Sequence, residues 1–229
     1  SIEVEITESV SDISETMHFN ENILKAIQNT SYLMEAGEAE TVLEHYSKLV
    51  KSDKYFGIKV LPLSDSTYKS YETYSVALKL DGLRAILFVF GDNVYHIDSR
   101  FRVSFTGVIL DNTNFTGSVF DCELFRDKYY LFDCIFFKGK DLREGSSIFL
   151  EKRLEFIKAF VSEAKNERLV EKEHHFGNHY LLATELTTKN LSNKDFDGLI
   201  FTPLNSSYPL KKKDSGVPLK WKPEELNTI

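Results

Sequence analysis

The residue pattern predicts an α+β fold, with antiparallel sheets flanked by helices, and three observations carry that prediction. Period-two apolar runs bounded by Gly or Asp/Asn turns recur between Tyr74 and Phe137. Helical-period stripes bracket that block, at 20–50 and again at 147–171. Short strand-like runs return after the second stripe. Hairpin-type strands segregated from helices make an α+β pattern rather than an alternating βαβ one.

Taken in order, Ser1 to Ile6 alternates polar and apolar residues and reads as a strand with Glu3 and Glu5 on one face. Residues 11–16 are polar and linker-like, so 1–16 reads as an N-terminal strand and linker, and 17–229 as one domain. From Asn20 to Val50, Ile23, Leu24 and Ile27, then Val42, Leu43, Tyr46 and Leu49, recur at helical spacing with a break near Gly37. That predicts two helices or one kinked helix. Strands are predicted at 74–79, 83–90, 94–97, 101–110, 118–125 and 129–137. Leu150, Leu154, Ile157, Val161 and Ala164 form one helical stripe within 147–171. Further strands are predicted at 180–186, 198–202 and 218–221.

Composition bounds the rest. Hydrophobic residues at 42% and charged residues at 28% are ordinary for a globular protein with a sizeable core. A net charge of −7 argues against a generally basic surface that coats nucleic acid, but leaves room for a local basic cleft. Two cysteines, Cys122 and Cys134, make neither a disulfide framework nor a zinc site by themselves. The chain contains no apolar run near the ~20 residues that span a bilayer, and no signal-peptide pattern. A non-secreted, cytoplasmic location without membrane contact is the default expectation.

The strongest chemical signal is Lys79-Leu80-Asp81-Gly82-Leu83-Arg84. Alternation puts Leu78 and Leu80 on one face and Lys79 and Asp81 on the other. A lysine between apolar neighbours can be desolvated, which turns its amine into a nucleophile. Gly82 permits a turn and close backbone approach. Downstream stand Asp121-Cys122-Glu123-Leu124, Leu131-Phe132-Asp133, Asp197-Gly198-Leu199-Ile200-Phe201 and Leu219-Lys220-Trp221-Lys222-Pro223. In the last run, alternation places Lys220 and Lys222 together, opposite Trp221. Two cations facing one pocket can neutralise a phosphate, and Glu123 and Asp197 are hard oxygen donors suited to Mg²⁺ or Mn²⁺.

These five runs, in this order, resemble the signature of the covalent lysyl-nucleotidyl transferases, the superfamily of mRNA capping enzymes and polynucleotide ligases. The resemblance covers about two thirds of the chain. It implies an ATP-grasp-like nucleotidyltransferase domain in which Lys79 attacks the α-phosphate of a nucleotide. It further implies that Arg84 contacts ribose or phosphate and that Arg100 helps hold the phosphates. Glu123 would hold the ribose hydroxyl or a metal-bound water, and Phe132 would stack on the base. Asp197 would join a divalent metal, while Lys220 and Lys222 would grip the α-phosphate. Cys122 departs from the pattern, since the family has Gly there.

The Trp and Pro of Leu219 to Pro223, with Asp197 to Pro203, resemble capping guanylyltransferases more than ligases. This implies GTP as donor, GMP carried on Lys79, and transfer to a 5′-diphosphate RNA end; an ATP-using ligase adenylation domain is the alternative. The resemblance also implies a multifunctional capping enzyme of a large DNA virus, working in a viral factory or virion. There, triphosphatase, OB-fold and methyltransferase domains would be fused to this one, and the OB-fold lid is expected to lie outside this chain. His174, His175 and His179 read as a polar loop, and Lys211 to Lys213 as a solvated basic run.

Overall fold

Apolar alternation beginning at Tyr74 builds the middle of the molecule, as a computed structural model shows; it describes residues 13–28, 31–70, 72–143, 145–193, 195–211 and 216–223. In chain order the helices are α1 (Ile13–Gln28), α2 (Glu38–Val50), α3 (Leu150–Ala164) and α4 (His179–Asn190). The strands are β1 (Leu61–Pro62), β2 (Tyr74–Leu78), β3 (Leu83–Phe90), β4 (Asn93–Ile97), β5 (Val103–Ile109) and β6 (Val119–Phe125). They continue as β7 (Lys128–Phe137), β8 (Lys140–Asp141), β9 (Leu169–Glu171), β10 (Leu199–Pro203) and β11 (Leu219–Trp221).

Two sheets result among the described residues. The smaller runs β1-β11-β10-β2 and the larger β5-β4-β3-β6-β7-β8, with β9 beside β7. Pairing is antiparallel as expected, except that β1 joins β11, and β9 joins β7, in parallel. Strand alternation sorts the core. Ala85, Leu87 and Val89 of β3 face Leu150, Leu154, Ile157 and Phe160 of α3. Ile86 and Phe88 face Val42, Tyr46 and Val50 of α2. The back of the smaller sheet, with Val76, Leu199, Phe201 and Leu219, is covered by Leu186 of α4.

Several expectations change. The strand predicted at 180–186 is helix α4. The Asn178 side chain accepts hydrogen bonds from the amides of Tyr180 and Leu181 and so nucleates a helical turn. Its apolar face then packs Leu182, Ala183 and Leu186 onto the smaller sheet. The helix predicted through 171 stops at Ala164, where Lys165 adopts φ 45° and its amide bonds back to Val161. That stop frees Leu169–Glu171 to return as β9. Residues 13–16, read as linker, are helical, and the strand expected at 1–6 lies outside the described residues. The break near Gly37 is real: Gly37 adopts φ 81° as the N-cap of α2.

Candidate active site

Between β2 and β3 the chain crosses from the smaller sheet to the larger one, and Lys79 to Gly82 make that crossing. Pairing persists just past the end of β2, where the Lys79 amide donates to the Gly198 carbonyl at 2.9 Å. The crossing opens a cavity of about 130 Å³ between the sheets. Ala77, Lys79, Ile200 and Thr202 line it from one sheet; Arg84, Asp121, Glu123, Phe132 and Asp133 line it from the other.

Two glycines make the crossing possible. A Cβ on Gly82 would come within 2.7 Å of the Glu123 side chain and 2.8 Å of the Leu124 carbonyl. Gly198 sits at φ +114°, with the Trp221 carbonyl 2.1 Å from where its Cβ would be. No side chain fits there, so β10 and β11 approach closely enough to bring Asp197 and Lys222 together.

The Lys79 amine is paired with Asp197, whose other oxygen accepts from Lys222 Nζ at 2.6 Å. Lys79 also reaches the Leu80 carbonyl at 3.4 Å. Burial tends to raise the Asp197 pKa, but the two lysine ammoniums outweigh it and hold the carboxyl below its ordinary value. Lys220 pairs in register with Ile200, which pairs with Ala77, so Lys220 belongs to the cavity-facing side of the smaller sheet. It makes no ion pair among the described residues. Two lysines sharing one carboxylate, with a third on the same face of the smaller sheet, give this edge of the cavity an excess of positive charge on a chain of net charge −7; of these four residues, Lys79 lines the cavity itself.

On the opposite wall Arg84 grips Asp121 with Nε at 2.9 Å and a second nitrogen, and donates to the Ile58 carbonyl. Asp121 is fully buried and also accepts from the Tyr208 hydroxyl at 2.6 Å. Burial works against the Arg84 charge, yet Asp121 more than compensates and raises its pKa above normal. Arg84 therefore lines the cavity with part of its guanidinium already committed. Its guanidinium carbon lies 5.5 Å from the Phe132 ring centroid. Asp133 is held from behind by Arg153 of α3, with Nε to Oδ1 at 2.6 Å.

Sequence reasoning missed two residues here. Lys172, just past β9, donates from its amide to the Leu131 carbonyl at 2.8 Å. Its buried ammonium lies 3.2 Å from Glu123 Oε2 and 5.4 Å from the Phe132 centroid. Burial lowers its pKa, against the opposing pull of Glu123. His174, two residues on, lines the cavity as well, whereas the cluster was read as a polar loop. His175 pairs with the backbone of Val76, and His179 meets the Tyr68 hydroxyl at 3.1 Å, so the three histidines do not converge. The available signal was the alternation of Lys172 and His174 after a short strand, which puts both on one face.

Arg100 is not brought to the site. It is exposed in the β4–β5 turn, where its amide donates to Asp98, and it does not line the cavity. Cys122, at the position where Gly was expected, points into the core on the far face of β6 and donates to the Ala85 carbonyl at 3.3 Å. It therefore leaves the cavity side of that strand free. Of the basic run, Lys211 is exposed, and Lys212 and Lys213 lie outside the described residues.

Solved structures share this fold. The ligase domain of M. tuberculosis LigD aligns with TM-score 0.52 at 14% identity, over 71% of this chain and 59% of that one. The fold is that of a nucleotidyltransferase domain. Residues 57–224 match the family model "mRNA capping enzyme, catalytic domain", and the chain belongs to that family. Among relatives, the mRNA-capping enzyme subunit alpha of Kluyveromyces lactis is 28% identical over 69% of this chain. The "Probable mRNA-capping enzyme" of Acanthamoeba polyphaga mimivirus is 24% identical over 61%. The chain spans 42% and 13% of those two proteins' lengths. No helix among the described residues is long and apolar enough to cross a membrane.

Proposed function

We propose that this domain forms a covalent lysyl-GMP on Lys79 from GTP and passes the GMP to a 5′-diphosphate RNA end. The observation that carries this is the placement of one lysine amine at the cavity wall, paired to a carboxylate and flanked by two further lysines. The Lys79 nitrogen lone pair attacks the α-phosphorus, the bond to pyrophosphate breaks, and the amine's proton leaves. The second step reverses the geometry: a β-phosphate oxygen of RNA attacks, and the Lys79 nitrogen departs. Lys220 and Lys222 neutralise the α-phosphate, since phosphoryl transfer is mostly positioning and charge compensation. Asp197 orients the amine in the free enzyme and holds Lys222 beside it.

Phe132 offers a face for the base, and Glu123 and Arg84 stand where the ribose and phosphates would pass. Lys172 bears on base choice: an ammonium only donates, and both purines present N7 as an acceptor, but at C6 guanine presents the acceptor O6 where adenine presents its N6 amine as a donor. That favours GTP over ATP.

A divalent ion, Mg²⁺ or Mn²⁺, suits the donor set only in part. Among the described residues no three His, Cys, Asp or Glu gather as a metal site. Mg²⁺ commonly takes one or two carboxylates and completes its shell from substrate phosphates and water. Glu123 and Asp197 would be those carboxylates, and the ion would neutralise charge on the departing pyrophosphate. That the chain spans 42% and 13% of its two capping-enzyme relatives supports a place within a larger capping protein, in which triphosphatase, OB-fold and methyltransferase domains would be fused to this one.

Incubation with α-labelled GTP or ATP and either metal, followed by denaturing electrophoresis, tests the reading. Label from GTP, abolished in Lys79→Ala and by chelation, is the expected result. Label from ATP alone would assign the domain to the ligase branch instead.

A further inference from the structure

The segment after β10 leaves the smaller sheet and is stitched to the side of the larger one. The Leu150 amide, at the start of α3, donates to the Leu204 carbonyl at 3.1 Å, and Arg153 Nη1 donates to the Ser206 carbonyl at 2.7 Å. The Tyr208 amide then reaches the Leu142 carbonyl, just past β8, at 3.3 Å. The Tyr208 ring is buried, with the Phe56 ring 6.0 Å away. Arg143 lies over Phe56 at 5.0 Å and donates to the Val50 carbonyl, at the end of α2, at 3.0 Å. Held by these neighbours, the Tyr208 hydroxyl donates to Asp121 Oδ2 at 2.6 Å.

Asp121 in turn holds Arg84, which lines the cavity. An arginine carries five N–H groups. Nε and one Nη donate to Asp121, and the other Nη donates to the Ile58 carbonyl. Three of the five are so engaged, which leaves two for a ligand. Where those two point depends on the plane of the Asp121 carboxylate, because a paired fork tilts with its acceptor. An aspartate's χ2 is a soft, two-fold torsion, so Arg84 alone does not fix that plane. A third hydrogen bond, from a phenol anchored elsewhere, removes the freedom. Burial, reinforced by the Asp121 charge, pushes the Tyr208 pKa well above its ordinary value, so the hydroxyl keeps its proton and stays a donor.

We infer that Tyr208 is a positioning residue of this site: through Asp121 it sets the guanidinium plane of Arg84, and with it the two N–H groups that meet the ribose or phosphate oxygens of the nucleotide. The inference rests on the guanylyl-transfer reading and deepens it. The Tyr208 hydroxyl is itself committed to Asp121, so its effect on the nucleotide passes through Arg84.

The test is adduct formation on Lys79 from GTP in wild type, Tyr208→Phe, Arg84→Lys and the double variant, below the melting temperature of each. Tyr208→Phe keeps the ring and removes only the hydroxyl. It is expected to lower kcat/KM about tenfold, the order of one hydrogen bond to a charged group lost behind a contact. In the Arg84→Lys background, where no fork remains to be aligned, the same change should cost less than about twofold. An unchanged kcat/KM in Tyr208→Phe overturns the inference. So does a full tenfold loss in the Arg84→Lys background, which would mean that Tyr208 acts through the fold alone. Solvent exchange of the Arg84 Nε–H, followed by NMR, reads the positioning without nucleotide and should be several-fold faster in Tyr208→Phe. If Arg84→Lys does not fold, that exchange rate decides, and an unchanged rate overturns the inference. If the wild type forms no GTP adduct, the functional reading fails, and the same exchange rate still decides whether Tyr208 positions Arg84.

Discussion

Asp121 lies at the centre of the cavity wall, and removing it has a cost that can be worked out. Its carboxylate is fully buried, accepts two hydrogen bonds from Arg84, and accepts a third from Tyr208 at 2.6 Å. Asp121→Ala would leave the Arg84 guanidinium without its counter-charge and strand a buried phenol. Breaking a buried ion pair from one side costs ~3–5 kcal/mol. The Arg84 side chain keeps 28% exposure, so water can reach part of it, and the lower end, ~3 kcal/mol, is expected. With a urea m-value of ~3 kcal/mol/M for a domain this size, the midpoint should fall by about 1 M. Urea denaturation followed by tryptophan fluorescence reads this directly, since Trp221 is the chain's single tryptophan. The paired change Arg84→Met with Asp121→Leu should recover much of the loss, because it removes both charges together. A loss below ~1 kcal/mol in Asp121→Ala would refute the reasoning, because Arg84 would then be solvated without its partner.

Further outcomes follow from the same geometry. His174 has a folded-state pKa of about 4 against 6.5 for the free side chain, so between those values the unfolded chain takes up a proton that the folded chain refuses. Stability should therefore fall from pH 6.5 to pH 4, by on the order of 2–3 kcal/mol, and denaturation at pH 7 and pH 5 should show a shallower slope in His174→Ala. Equal slopes would rule the group out. Gly198→Ala forces a side chain into φ +114° and against the Trp221 carbonyl. It should cost at least ~1–2 kcal/mol and several degrees of melting temperature, whereas an unchanged melt would mean that β11 yields. Arg100→Ala, exposed and outside the cavity's lining, should label with GTP within about twofold of wild type, and a collapse of labelling would show that the β4–β5 turn reaches the nucleotide.

Local chemistry was legible without the fold. Lys79 with its apolar neighbours, the alternation of Lys220 and Lys222 about Trp221, and the period-two runs from Tyr74 to Phe137 are short-range patterns, and short-range geometry governs which face a side chain takes. Strands β3 to β7 of the larger sheet and the break at Gly37 followed for the same reason, whereas β9 was read as helix. The stretch at 180–186 misled because its apolar residues satisfy either period, and the Asn178 cap and the sheet beneath it tipped the balance to helix. Arg100 misled because two residues of spacing cannot say whether a turn folds toward a cavity or away from it.

What no local pattern could supply is which charges meet. Lys172 and Glu123 are 49 residues apart, Arg84 and Asp121 37 apart, and Lys79 and Asp197 118 apart. Each pair exists because strands distant in sequence become neighbours in a sheet, β3 beside β6, β9 beside β7 and the end of β2 beside β10, and a buried charge selects its partner from whatever that pairing brings within reach. The lysine at the sheet crossing could be read from the order of the residues, while the carboxylate that pairs with it, and the buried Lys172 and His174 on the far side of the cavity, arose only when the chain had packed.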